Sequence, residues 1–286
     1  MRLALGLRVL SWVAILLVCA PSSRAIEASP LDMAFDKLYR LDFAGAQNAI
    51  TTHIERNPRD PLGYGMRSAA YLFYELDRLS ILESEFFGND KRIAEKKKLH
   101  ADPKVREELM GAIAKARQYA DEAFKKDAND KNALFAMCVA AGIQTDYLAL
   151  VEKRQLGSLS YAKESHKWAL KLLSADSQFY DAYLTTGVSE YLLGSVPFFV
   201  RWIVRFEKTE GSKSVAVRNL ELVSKQGRYF KPFAKVLLSI IHLREKRPLE
   251  AEKLLHELHH QFPENALFKK ELDKLASRRK ISSGGN

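Results

Sequence analysis

KRPLEAEKLLHELHHQFP, residues 246–263, can be read in two incompatible ways. As a pattern it is half of a helical repeat: a short turn, then Ala251, an apolar helix face through Leu254, Leu255 and Leu258, and a closing Pro263. As a motif it holds His256-Glu257-Leu258-His259-His260, which satisfies the H-E-x-x-H zinc-protease signature. On a helix His256 and His260 share a face and are the candidate metal ligands, with Glu257 placed to serve as base. The extended form of the motif needs a glycine at 263 and a third histidine at 266, where Pro263 and Ala266 stand. Pro263 also stops the helix directly behind the motif. Repeat phase accounts for the leucines, and no third ligand arrives, so neither metal nor cofactor is expected.

The repeat reading extends outward. Leu41-Asp-Phe-Ala-Gly-Ala46 leads to Pro58 as Lys246-Arg-Pro-Leu-Glu-Ala251 leads to Pro263: a turn, an alanine, and a proline twelve residues beyond it. Ala116 and Ala128 share this spacing, with alanine in place of the proline. New helices start after each closure, at Pro61-Leu-Gly-Tyr64, Lys131-Asn-Ala-Leu-Phe135 and Asn265-Ala-Leu-Phe268, and a further start carries Tyr183 and Gly187. Strand signals are nearly absent, and apolar residues recur at three and four, as in Leu134, Cys138 and Ala141.

This arrangement resembles the tetratricopeptide repeat family, a helix-turn-helix unit of about 34 residues. Tyr64, Tyr183, Gly187, Ala46, Ala251, Pro58 and Pro263 match its aromatic, small and proline positions. Lys37 and His242 stand where the family usually has tyrosine, and the spacing stretches in the middle of the chain. The resemblance implies an all-α fold, an α-solenoid of antiparallel helix pairs with about five pairs and a capping helix.

In chain order, helices are expected at 31–41, 43–56, 61–86, 103–127, 130–153, 158–174, 177–193, 197–206, 213–226, 230–245, 248–261 and 264–277. Asp102-Pro103 is a good N-cap with proline behind it. The stretch 227–233, with Tyr229, Phe230 and Phe233, is expected to pack between repeats.

Residues 1–25 are expected to be a secretory signal peptide. Arg2 and Arg8 precede a short apolar run from Val9 to Ala20, and Ser23 and Ala25 fit a small-residue cleavage site. Val18 before Cys19 argues against lipidation. The array would then occupy 26–281, with 282–286 a disordered tail, in the periplasm or outside the cell. Without the leader, 42 basic residues face 35 acidic ones and Cys138 is the sole cysteine, so apolar burial rather than disulfides must hold the fold. Basic runs such as Lys96-Lys97-Lys98 and Arg278-Arg279-Lys280 are dispersed among acids, so no nucleic-acid partner is expected. No nucleophile motif and no phosphate loop is present; Gly187, Gly194 and Gly211 stand isolated.

Two segments carry the functional expectation. Positions that line the concave face in tetratricopeptide arrays are largely apolar here: Leu62, Ala69, Leu72, Phe135, Val139, Leu184, Val188, Tyr191, Phe233, Val236 and Ile240. They are the candidate partner-binding residues for a protein or peptide. Residues 196–206, VPFFVRWIVRF, form an apolar segment outside the repeat pattern. Phe198, Phe199, Trp202 and Phe206 could make it a buried connector, a filler of the concave face, or a contact for membrane or partner, although it is too short to span a bilayer. The resemblance thus implies a non-enzymatic interaction scaffold of the bacterial envelope. Its rivals are a zinc metallopeptidase built on residues 256–260 and a membrane-surface protein.

Overall fold

A computed structural model of the chain describes residues 28–82, 99–195, 208–209 and 211–283. Among the described residues there are eleven α-helices and no strand. They are α1 (Pro30–Tyr39), α2 (Phe43–Arg56), α3 (Pro61–Arg78), α4 (Pro103–Phe124), α5 (Lys131–Asp146), α6 (Gln155–Ala175), α7 (Tyr183–Ser195), α8 (Lys213–Gln226), α9 (Lys231–Arg244), α10 (Pro248–Gln261) and α11 (Ala266–Ser283). The expected leader and the expected helix at 197–206 lie outside the described residues.

Capping side chains fix where most of these helices begin. Ser29 and Asp32 form a capping box at α1, and Asp42, Asp60, Asp102, Asp130 and Ser212 each accept a backbone N–H at the start of α2, α3, α4, α5 and α8. Two kinds of turn then recur. At the ends of α1, α3 and α9 a non-glycine residue takes the left-handed conformation: Leu41, Ser80 and Lys246. In each case the next N–H reaches back to the last turn, from Asp42 to Lys37, Ile81 to Leu76 and Arg247 to His242. At the ends of α2, α4, α6 and α10 a four-residue turn closes instead. Its hydrogen bonds run from Asp60 N to Asn57 O, Asp130 to Asp127, Phe179 to Asp176 and Asn265 to Phe262. The turns at 127–130 and 176–179 hold Ala128 and Ser177 where the other two hold Pro58 and Pro263, so proline is not what shapes them.

Consecutive helices pack on one another, in the pairs α1–α2, α3–α4, α5–α6, α7–α8 and α9–α10, and each pair's second helix touches the next pair's first. Short turns make such neighbours antiparallel. Small residues permit the close approach. Ala46, Ala116 and Ala251 are fully buried, and a Cβ on Gly187 would sit 3.0 Å from Leu220 Cγ. The first tyrosine of α3 and that of α7 repeat one contact: Tyr64 donates to Pro58 O and Tyr183 to Ser177 O, each six residues back.

Three expectations need correction. The helix expected over 61–86 stops at Arg78, because the Ser80 turn buries Ile81 beside Leu76 and redirects the chain. The helix expected from 177 begins at Tyr183, after the 176–179 turn and a 3-10 turn over Tyr180–Ala182. The last helix runs to Ser283, into residues expected to be disordered. In addition, α5 continues as a π-helical turn over Tyr147–Val151. Lys131–Val151 is the one described stretch long and apolar enough to cross a membrane, and most of it is packed inside the protein.

The core is continuous from α1 to α11. That continuity depends on a contact the local pattern does not contain: α1 packs on the turns before α9 and α11. Phe35 meets Tyr229 and Phe230 at ring distances of 5.6 and 5.5 Å, and Tyr39 meets Phe262 at 5.5 Å. Arg228 pairs with Asp32, Arg40 pairs with Glu264, and Asn265 Nδ2 donates to Tyr39 O at 2.8 Å.

Candidate interaction surface

The α8–α9 turn, residues 227–230, is the hub. Gly227 is extended there, with φ −58° and ψ 148°. A Cβ on it would lie 2.7 Å from Val223 O and 2.9 Å from Asp181 Oδ1. Asp181 is buried at the start of the fourth pair, and its carboxylate accepts the N–H groups of Arg228, Tyr229 and Phe230 at 2.9–3.3 Å. Burial pushes the Asp181 carboxyl up, while those N–H groups pull it down; burial prevails. The turn so held directs Tyr229 and Phe230 inward, against Phe135, which also meets Phe179 at 4.8 Å. Burial pushes the Tyr229 hydroxyl up to about 12. Inter-repeat packing was expected of these aromatics; their contacts reach across the molecule to α1 as well.

This hub changes the standing of the concave-face residues. Leu62, Ala69, Phe135 and Val139 are buried in the shared core, beneath or beside the turn. Leu72 is buried too, but toward α4 and the π-turn, with Leu109, Ile113 and Tyr147. It continues a ridge from Tyr64 and Ser68 in steps of four, which faces the pair partner. Tyr191 is buried against Leu220, Leu238 and Ile241 of α8 and α9. These six side chains are interior and offer no surface to a partner in this conformation. The other five, Leu184, Val188, Phe233, Val236 and Ile240, are half-buried on α7 and α9. Phe73 on α3 joins them through an edge-to-face contact with Phe233 at 5.5 Å, and Tyr74 beside it is exposed. What remains of the expected face is therefore a narrower apolar band over α3, α7 and α9. Phe198, Phe199, Trp202 and Phe206 lie outside the described residues.

A cleft of about 550 Å³ opens where the turns after α4, α6 and α8 converge. Leu62, Phe179 and Tyr229 give it an apolar floor, and Asp127, Asp130 and Gln178 are polar lining groups. Asp127 and Asp130 are occupied locally, accepting Asn129 N and Ala133 N. Beside it, Asp60 joins three helices, α3, α5 and α2: it accepts Leu62 N at 3.0 Å, Asn132 Nδ2 at 2.5 Å and pairs with His53 Nε2 at 2.5 Å. Burial opposes ionisation of Asp60, yet these bonds outweigh it and hold the carboxyl below its ordinary range.

Several other polar groups are tied into structure. Glu75, fully buried, takes both nitrogens of Arg78 and the N–H of Asp102. Cys138 lies between Ser165 and Thr185, and burial pushes its thiol up, which leaves it a poor nucleophile. On α10, Leu255 and Leu258 are buried while His256 and His260 are exposed. Glu257 pairs with Lys235, and Glu252 with Arg279. Among the described residues no three His, Cys, Asp or Glu side chains converge as metal ligands would.

One feature was hidden by treating the glycines as isolated. Gly194 and Gly211 touch: a Cβ on Gly194 would lie 2.6 Å from Gly211 O, and Gly211 has φ +73°. The chain leaves α7 and returns to α8 through one point. No family model, curated protein or solved structure matches the chain. Among the described residues the fold is all-helical, with consecutive helices packed on their neighbours.

Proposed function

We propose that the chain is a non-enzymatic interaction scaffold, a tetratricopeptide-like array exported to the bacterial envelope, which binds a protein or peptide through an apolar strip. The recurring turns, the buried alanines at the close approaches and the repeated Tyr64 and Tyr183 contacts support the array reading. The observation that carries the binding reading is the half-buried band of Leu184, Val188, Phe233, Val236 and Ile240, with Phe73 and exposed Tyr74. Apolar surface gathered on the first helices of the second, fourth and fifth pairs is the kind of feature into which a partner's apolar side chains dock.

The test places a photocrosslinking residue at Val236 or Ile240, and as a comparison at Lys171 on α6 or Lys225 on α8, in the native cell. The expected outcome is a discrete adduct from Val236 and Ile240 alone. Equal labelling from α6 and α8, or no adduct from α9, overturns the reading.

A further inference from the structure

We propose that α1 is a releasable latch, held on the α8–α9 and α10–α11 turns by two ionic clamps, and that its release uncovers the inner apolar face. One clause of this rests on the scaffold reading: that the uncovered face is the one a partner meets.

The seat is aromatic at its centre and ionic at its edges. Leu31, Phe35, Leu38 and Tyr39 form the buried stripe of α1. They face Tyr229, Phe230 and Phe262, behind which lies Phe135. At one end Arg228 forks onto both Asp32 oxygens at 2.8 Å and also reaches Ser29. At the other, Arg40 Nη1 donates to both Glu264 oxygens at 2.8 Å, while its Nε donates to Asp36 on α1 itself. All four clamp side chains keep substantial contact with solvent. Exposed pairs of this kind are screened by salt, whereas the aromatic contacts are not. α1 is only ten residues long, and its neighbours at the seat are about two hundred residues away in the chain. The centre of the seat is buried and carries the hydrogen bonds of Tyr39 OH to Tyr229 O and of Asn265 Nδ2 to Tyr39 O, whereas its ionic edges are solvated, so loosening those edges frees a ten-residue end element before the rest of the core opens.

Leu62, Ala69 and Val139 occupy positions that face inward in such arrays, and here they share one core with α1 and the Tyr229–Phe230 turn. Lifting α1 removes Phe35 from Tyr229 and Phe230 and Tyr39 from Phe262, so these rings, which share one core with Leu62, Ala69 and Val139, are the first surface the opened form gains.

The experiment is amide hydrogen exchange on the full chain, read peptide by peptide. Glu264→Lys sets a cation opposite Arg40; Arg40→Glu added to it restores an opposite pair. The expected result is exchange over 30–39 about tenfold faster in Glu264→Lys, with α5 and α6 unchanged, and a return toward the parent rate in the double variant. Raising salt from about 0.05 to about 0.5 M should likewise speed exchange of 30–39 selectively. If 30–39 exchanges no faster in Glu264→Lys, or only together with α5 and α6, the latch is overturned. Failure of the double variant to restore protection overturns the ionic clamp. None of these readings depends on a partner, so they stand apart from the crosslinking test.

Discussion

The hydroxyl of Tyr39 donates to the backbone carbonyl of Tyr229 at 2.9 Å, a buried hydrogen bond between residues 190 apart. The carbonyl it satisfies belongs to the turn that Asp181 holds from the other side through its N–H groups. Burial pushes the Tyr39 hydroxyl well above its ordinary value, so it remains a donor throughout the physiological range.

Tyr39→Phe keeps the ring contacts with Phe35 and Phe262 and deletes only the donor. The buried carbonyl of Tyr229 is then left without it, which should cost about 1–3 kcal/mol. Urea unfolding followed by circular dichroism checks this. A midpoint unchanged from the parent chain would mean that the bond contributes nothing net.

Glycine substitutions separate space from backbone freedom. Gly227→Ala drives a Cβ against Val223 O and Asp181 Oδ1, with φ already ordinary, so the effect is steric. We expect a loss of about 1–3 kcal/mol. Gly111, inside α4, has nothing within 4 Å of where its Cβ would be. Gly111→Ala should therefore stabilise by about 0.5–1 kcal/mol through helix propensity. Thermal melts of the two variants should move in opposite directions.

Asp60 sets a pH dependence whose sign is fixed. Its carboxyl is held below the unfolded value, so the folded state binds fewer protons. The stabilisation is complete above about pH 4, the unfolded carboxylate range, and is lost as pH falls through the lower folded value. Asp60→Asn can still cap α3, but it sets an amide in place of the carboxylate opposite His53. It should lower stability at pH 7 and flatten the acid limb of a stability–pH profile measured by urea unfolding. An acid limb as steep as the parent's would assign that loss to other carboxylates.

Much of the fold was legible because it is local. Ala46, Ala116 and Ala251 were identified from spacing alone and are buried where helices approach closely. Asp102-Pro103 begins α4 as its side chain and ring dictate. What escaped is non-local or two-faced. Nothing in a periodicity relates Phe35 to Tyr229, or Gly194 to Gly211, because those contacts join residues far apart in the chain. Leu72 and Tyr191 failed for a different reason: each sits on a helix buried on more than one side, where apolar character cannot say which neighbour it faces. For the same reason six of the eleven candidate binding residues lie in the interior and five remain half-buried.

The seat of α1 also has an order in time. A chain is made from its N-terminus, and α1 is complete some two hundred residues before the turns at 228–230 and 262–265 exist. Every other pair can settle on a neighbour already made, as local contacts allow rapid folding. Leu31, Phe35 and Tyr39 cannot be fully covered until synthesis is nearly finished. The apolar stripe of α1 is thus the part of the fold that stays longest without its final partners, and the last to become native.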